Sequence, residues 1–167
     1  MIFSTRFMNR ITLITVGKIK EKYFADGVKE YEKRLSRYCR LQIVEVADEK
    51  TPDKAAPAIE EQIRKTEGER ILSKIPEGAY VITLELDGTM MDSVEFAEYI
   101  GNLGLYGKSH IVFIIGGSLG LHCLVSERAD KKISFGKMTY PHQLMRVILL
   151  EQIYRCFRIN AGEPYHK

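Results

Sequence analysis

Three short segments of the sequence carry glycines and polar groups at places where a ligand could bind. They are Gly116–Gly120 (GGSLG), Leu84–Gly88 (LELDG) and Phe135–Gln143 (FGKMTYPHQ). Glycine lets a backbone approach a ligand closely, and the N–H groups at the start of a helix bind oxygen atoms. Each segment also has a plain structural explanation, as a tight turn, a strand end or an ordinary connection.

The residue types favour positioning of a reactive cofactor over direct side-chain chemistry. The glycine segment matches neither the G-x-G-x-x-G nor the P-loop pattern. Four histidines and three cysteines are scattered without a C-x-x-C pair or ligand spacing, so no metal site is expected. Glu85 and Asp87 are interpreted as solvent-facing acids, and His142 as a surface histidine at a helix start. Methyl transfer suits such a site, because the donor carries the driving force while the protein aligns the acceptor.

The segments that must position these loops alternate between strand and helix patterns. Strands are predicted at 10–17, 41–47, 79–86, 110–115 and 132–135, and helices at about 24–38, 58–74, 92–103, 121–129 and 141–157. Asp87-Gly88 is expected to turn the chain after the third strand, and Asp92–Glu95 has capping-box spacing. The alternation predicts an α/β fold, a mostly parallel sheet with helices on both faces. Ligands bind beyond the carboxyl ends of such strands, where all three segments fall.

Length and charge set broad limits on the class of protein. The chain has 167 residues, which suits one domain, and a net charge of +3, which permits a polyanionic partner without demanding one. No apolar run reaches the roughly 18 residues of a membrane helix. Unpaired, widely separated cysteines suit a reducing cytoplasm, so a cytoplasmic protein is expected. Residues 1–7 precede the first regular pattern and are interpreted as an N-terminal extension.

Several longer stretches carry a resemblance to a known family. ITLITVGK, FIIGGSLG, SFGKMTYPHQLMRVILLEQIYRCFRI and the ending GEPYHK resemble the ribosomal RNA large-subunit methyltransferase H family, small proteins of the SPOUT class. The combination of I-G-G-x-x-G, K-M-T-x-P-H-Q and a terminal Y-H-K in this order is highly specific. The resemblance implies one SPOUT domain over residues 8–167, with a deep C-terminal trefoil knot.

The resemblance also implies an activity, a cofactor and partners. Family members use S-adenosyl-L-methionine to methylate N3 of pseudouridine 1915 in 23S ribosomal RNA within the assembled ribosome. They act as homodimers through the last helix, here 141–157, without metal or membrane attachment. By resemblance, the cofactor pocket comprises Leu84, Gly116, Phe135, Gly136, Lys137, Met138, Thr139 and Tyr140.

Removal of the N3 proton requires a proton acceptor or cations that favour the anion. Tyr165, His166 and Lys167 in the tail, with Arg155 on the last helix, are the candidate catalytic residues. His166 could accept the proton, while Lys167 and Arg155 could hold phosphates or stabilise the anion. Alternatively, the tail only clamps RNA and water takes the proton.

Two other classes of protein remain open from the sequence. A flavodoxin-like nucleotide or flavin enzyme would need a phosphate-binding turn after the first strand, and Val16–Lys18 is sparse for one. A non-catalytic ribosome-associated nucleotide-binding module would not bind S-adenosyl-L-methionine.

Two expectations concern the C-terminal part of the chain. Apolar residues exceed what one face of the last helix needs, so part of the set is expected at a dimer interface: Val147, Leu150, Ile153, Tyr154 and Phe157. The polar tail after this helix is expected to bury little.

Overall fold

Five strands and five helices alternate along the chain. The computed structural model describes residues 10–165, so the extension predicted at residues 1–7, together with His166 and Lys167, lies outside the described residues. The elements are β1 (Arg10–Val16), α1 (Lys22–Leu35), β2 (Arg40–Val46), α2 (Pro57–Leu72), β3 (Tyr80–Met90), α3 (Ser93–Leu105), β4 (His110–Ile115), α4 (Cys123–Arg128), β5 (Lys131–Ser134) and α5 (His142–Asn160). The predicted α/β class and its alternation are confirmed.

The strands form one parallel sheet in the order β2-β1-β4-β3-β5. The central strands β1 and β4 are buried along almost their whole length, as the continuous apolar run of β4 predicted. The carboxyl ends of all five strands meet at one edge of the sheet. The three glycine-containing segments therefore emerge at that edge.

Helices cover both faces of the sheet. One apolar core lies between the sheet and α1, α3 and α5, and a smaller one lies under α2 and α4. Most of the apolar set on α5 is used in the first of these cores, where Leu150, Ile153, Tyr154 and Phe157 are buried within the chain. These four residues of the set are therefore used within the chain, and Val147 alone of the predicted set stays half-buried.

The predicted turn at Asp87-Gly88 is wrong, because β3 continues to Met90. Ile133 of β5 pairs first with Leu84 and then with Thr89, so the residues between them bulge from the sheet. A Cβ at Gly88 would lie 2.5 Å from the carbonyl carbon of Ile133. The glycine therefore permits the two backbones to approach closely, where the sequence pattern had indicated a chain reversal.

The first turns of α5 contact the carboxyl edge of the sheet. Pro141 precedes the helix, and its carbonyl accepts the first helical bond, from the Met145 N–H. One turn later, the Arg146 side chain is buried against the ends of β1 and β2. None of the helices within residues 10–165 is long and apolar enough to cross a membrane.

Candidate active site

The three segments line one pocket at the carboxyl edge of the sheet. Its volume is about 670 Å³, within the range of small-molecule sites. The predicted cofactor residues that line it are Leu84, Gly116, Phe135, Gly136, Met138, Thr139 and Tyr140, whereas Lys137 is exposed and does not contribute to the wall. Ile133, Leu121 and Met145 add apolar surface. The pocket thus combines apolar walls with backbone amides and carbonyls.

The glycine loop closes on itself beside the pocket. Gly117 and Gly120 form a bridge, with the Gly120 N–H donating to the Gly117 carbonyl at 3.1 Å. A Cβ at Gly116 would lie 2.9 Å from the carbonyl carbon of Gly120 and 3.1 Å from the Leu121 side chain. Gly116 is therefore required by the shape of the loop itself, before any ligand is considered.

The helix predicted at about 121–129 is present, but α4 begins two residues later than predicted, at Cys123. His122 caps the helix, and its Nδ1 accepts the Leu124 N–H at 3.3 Å. The ring proton then lies on Nε2 and points to the Glu61 carboxylate 3.0 Å away. Cys123 lies nearby, and His122 serves this helix as a hydrogen-bonded cap.

Charged and polar side chains occupy the rim of the pocket. Glu85 accepts hydrogen bonds from the hydroxyls of Thr83 and Ser126, and so it is held in place where free solvation had been expected. Asp87 is exposed on the bulge. His142 is half-buried and lines the pocket at the start of α5, although the sequence indicated a surface histidine. The P-H-Q motif was the only available signal for it.

The candidate catalytic residues in the described part of the chain lie away from this pocket. Arg155 is thirteen residues beyond His142 on the same helix, which is about 20 Å along its axis. The Arg155 guanidinium lies 4.6 Å from the centre of the Tyr165 ring, and both side chains bind Glu151. The structure therefore brings Arg155 and Tyr165 together, but on a different part of the molecule from the predicted cofactor residues.

The Tyr165 side chain is packed, contrary to the expectation of a tail that buries little. Its ring meets Tyr154 edge-on at 5.1 Å, and its hydroxyl donates to Glu151 at 3.1 Å. Burial and the adjacent Glu151 carboxylate raise the pKa of Tyr165 to about 12. The phenol therefore stays protonated at neutral pH, where it can donate a hydrogen bond but cannot accept a proton as a base.

The turn after β1 does not resemble a phosphate site, which disfavours the flavodoxin-like alternative. A Cβ at Gly17 would lie 3.3 Å from the Asp48 carboxyl carbon, so an acid stands beside this turn. The carbonyls of Val16 and Gly17 are taken by Arg146. An anionic phosphate would meet the Asp48 carboxylate here, while Arg146 is already engaged by the two carbonyls.

Comparison with known proteins agrees with the fold. Residues 9–166 match the family described as "Predicted SPOUT methyltransferase". A probable methylase family protein from Haemophilus influenzae shares the fold, with a TM-score of 0.55 at 12% identity over 95% of this chain and 71% of that one. The chain is thus a SPOUT methyltransferase by class.

Close relatives define the family within that class. The ribosomal RNA large subunit methyltransferase H of Bifidobacterium adolescentis is 61% identical over 95% of this chain and 99% of its own length. The enzyme of the same name from Clostridium novyi is 62% identical over 94% of this chain and 99% of its own. The chain belongs to the ribosomal RNA large subunit methyltransferase H family.

Proposed function

We propose that this protein transfers a methyl group from S-adenosyl-L-methionine to N3 of a pseudouridine in 23S ribosomal RNA, at the position numbered 1915, within the assembled ribosome. The proposal is supported by the pocket that three loops form together in a chain of this family. The three cysteines are free thiols, in keeping with the cytoplasm where ribosomes reside.

The residues of the pocket fit this cofactor. Leu84, Ile133 and Met145 offer apolar walls for an adenine ring, and the backbone of residues 135–140 offers amides and carbonyls to its edge. Gly136 has a φ of +120°, and the Ser134 hydroxyl bonds its N–H and carbonyl, so this wall is fixed in shape. S-adenosyl-L-methionine supplies an activated methyl group when bound. The protein has to hold it, exclude water and position the base.

The separation of Arg155 and Tyr165 from the pocket supports a homodimer. Because about 20 Å of α5 lies between His142 and Arg155, one chain does not place both at the same reacting atom. We therefore assign the dimer contact to α5, so that Arg155, Tyr165, His166 and Lys167 of a second copy reach the pocket. There the cations stabilise the developing N3 anion and contact RNA phosphates.

We also assign the C-terminal knot to this region. After β5 at the sheet edge, residues 135–141 run beside the glycine loop, and α5 then returns to pack on α1 and α3. Passage of this segment through the loop formed by residues 84–121 would hold the three walls together. An experimental structure with continuous density across both segments tests the threading.

Cofactor binding and methyl transfer are measured separately to test the function. Calorimetry with purified protein should show metal-independent binding of S-adenosyl-L-methionine. Radiolabelled methyl should then enter large-subunit particles that carry the pseudouridine, and not particles that carry uridine at that position. With a net charge of +3, the protein has little basic surface for free RNA, so a naked hairpin should react poorly. Absence of cofactor binding would instead support a non-catalytic module.

A further inference from the structure

His142 combines access to the pocket with a ring that no residue in the described part of the chain pairs. It lines the pocket together with Gly116 and Tyr140 and is half-buried there. The structure gives its imidazole no hydrogen bond or ion pair with any residue between 10 and 165. A half-buried imidazole facing a ligand site without a protein partner is available for a proton of the ligand.

The other groups that could accept a proton near neutral pH are occupied or remote within the described chain. His110 bonds the Thr12 hydroxyl at 2.8 Å, at the opposite edge of the sheet. His122 is held by Glu61 and the Leu124 N–H. Both oxygens of Glu85 accept hydroxyl hydrogens. Asp87 on the exposed bulge is the remaining acid at the rim.

We propose that His142 is the proton acceptor of the methyl transfer, a role that rests on the function proposed above. The imidazole takes the N3 proton of the base, and the N3 electron pair forms the bond to the methyl carbon. The carbon–sulfur bond breaks and its electron pair stays on sulfur, so the leaving group is a neutral thioether. The proton on His142 then passes to water.

The charges around His142 keep its ring neutral and thus able to act. Burial lowers the pKa of His142 below its usual 6.5, and the Arg146 guanidinium on α5 lowers it further. Asp48 after β2 opposes this, while Lys20 before α1 adds to it. The loop at residues 116–121 carries no charged side chain. Glu85 and Asp87 lie on the segment at residues 84–88, and Lys137 lies on the segment at residues 135–140.

The test compares His142→Gln with His110→Gln, a matched change at the remote histidine. On large-subunit particles, His142→Gln should lower kcat about 10²–10⁴-fold, the usual range for loss of a general base. Its affinity for S-adenosyl-L-methionine by calorimetry should stay within about threefold, and the fall of the rate at acidic pH should disappear. His110→Gln should keep the wild-type rate and pH profile.

A second measurement does not depend on the variant. Titration of His142 by NMR in the wild-type, cofactor-free protein should give a midpoint below 6.5 that coincides with the acidic limb of kcat/KM. A midpoint about one pH unit or more from that limb overturns the proposal, even if His142→Gln fails to fold.

Two further variants expose the rivals for this role. If Asp87→Asn or His166→Gln abolishes the acidic limb while His142→Gln keeps it, the proton acceptor is that other residue and the proposal is overturned. A His142→Gln rate within about threefold of wild type overturns it as well. Failure of the wild-type protein to methylate any particle would instead contradict the function itself.

Discussion

Arg146 is a buried cation that joins α5 to the ends of β1 and β2. It is 1% exposed and donates to Glu45 at 2.7 Å and to the carbonyls of Val16 and Gly17 at 2.9 Å. Arg146→Met should lower the free energy of unfolding by about 2–4 kcal/mol, because it leaves buried carbonyls without a donor. Glu45→Gln should cost less than about 1 kcal/mol, since Glu45 is half-exposed. Urea unfolding of both variants measures this, and equal losses would contradict it.

His142 should make stability depend on pH. Its folded pKa is depressed below 6.5, so the unfolded chain binds the proton more readily. The contribution of the neutral ring is fully present above pH 6.5 and is lost as the pH falls below that value. Between pH 7 and pH 5, the free energy of unfolding should therefore fall more steeply for the wild type than for His142→Gln. Parallel curves in urea titrations would refute this.

Gly116 should affect stability before it affects the cofactor. A methyl group at this position meets the Gly120 carbonyl carbon at 2.9 Å, so Gly116→Ala should lower the melting temperature of the cofactor-free protein. Ser118→Ala, at an exposed position of the same loop, is the control and should melt like the wild type. If Gly116→Ala melts normally and only loses cofactor affinity, the ligand itself requires the glycine.

At this scale the sequence indicated the pocket but not its charges. The three loops were predictable, because strands of a parallel sheet present their carboxyl ends together. The burial of Arg146 and the partial burial of His142 were not predictable. Spacing along a helix does not show which of its charged or polar side chains contacts another part of the fold. The distance between Arg155 and the pocket follows from helix length only once the start of α5 is known.

The C-terminal tail packs more closely than the sequence predicted, through the side chain of Tyr165. Deleting residues 165–167 should lower the free energy of unfolding by about 1–2 kcal/mol, because the Tyr165 ring loses Tyr154, Arg155 and Glu151. Deleting only residues 166–167 keeps those contacts and should cost little. Chemical unfolding distinguishes the two truncations, and equal stability would show that the Tyr165 contacts contribute nothing.

The capping box at the start of α3 is confirmed, as the spacing of Asp92 and Glu95 in the sequence predicted. Asp92 accepts the N–H groups of Val94 and Glu95, and the Glu95 carboxylate accepts the Asp92 N–H at 2.8 Å. Asp92→Ala should cost about 1 kcal/mol of unfolding free energy. Glu98→Ala, on the exposed side of the same helix, is the control and should change it by less than about 0.5 kcal/mol.

Local signals predicted the elements well because apolar periodicity and caps act within a few residues. The end of β3 was missed for the opposite reason. Asp-Gly is a strong turn signal, yet Gly88 is needed for the approach of the Ile133 backbone, which belongs to a strand 45 positions away. A constraint of that kind exists only once β3 and β5 are paired.

For the whole molecule, the proposed dimer makes a test by mixing two inactive chains possible. Gly116→Val damages the pocket and Arg155→Ala damages the tail cluster. If the site combines the pocket of one copy with Arg155 of the other, co-expressed variants should recover about a quarter of the wild-type sites, one in each mixed dimer. If each site uses one chain alone, mixing restores no methylation. Light scattering must show a dimer in both preparations.

Neither the proposed dimer nor the proposed knot is accessible to periodicity. Periodicity reports which face of an element is apolar, and on α5 the core of the same chain takes that face. A knot depends on which segment passes through which loop, and the spacing of apolar residues along the sequence does not report this. The knot was expected from the resemblance in motifs alone, and the dimer from that resemblance together with the apolar residues of α5.

The strand order has a consequence for how the protein folds while it is being synthesised. β1 takes one neighbour from β2, but its other neighbour is β4, and the bonded pair Thr12 and His110 is 98 positions apart. At roughly 5–20 residues per second, a ribosome needs about 5–20 s to make that stretch. During that time the nascent chain exposes the edge of the apolar strand β1 that later pairs with β4. The yield of protein in a cell therefore depends on what shields that edge until translation reaches β4.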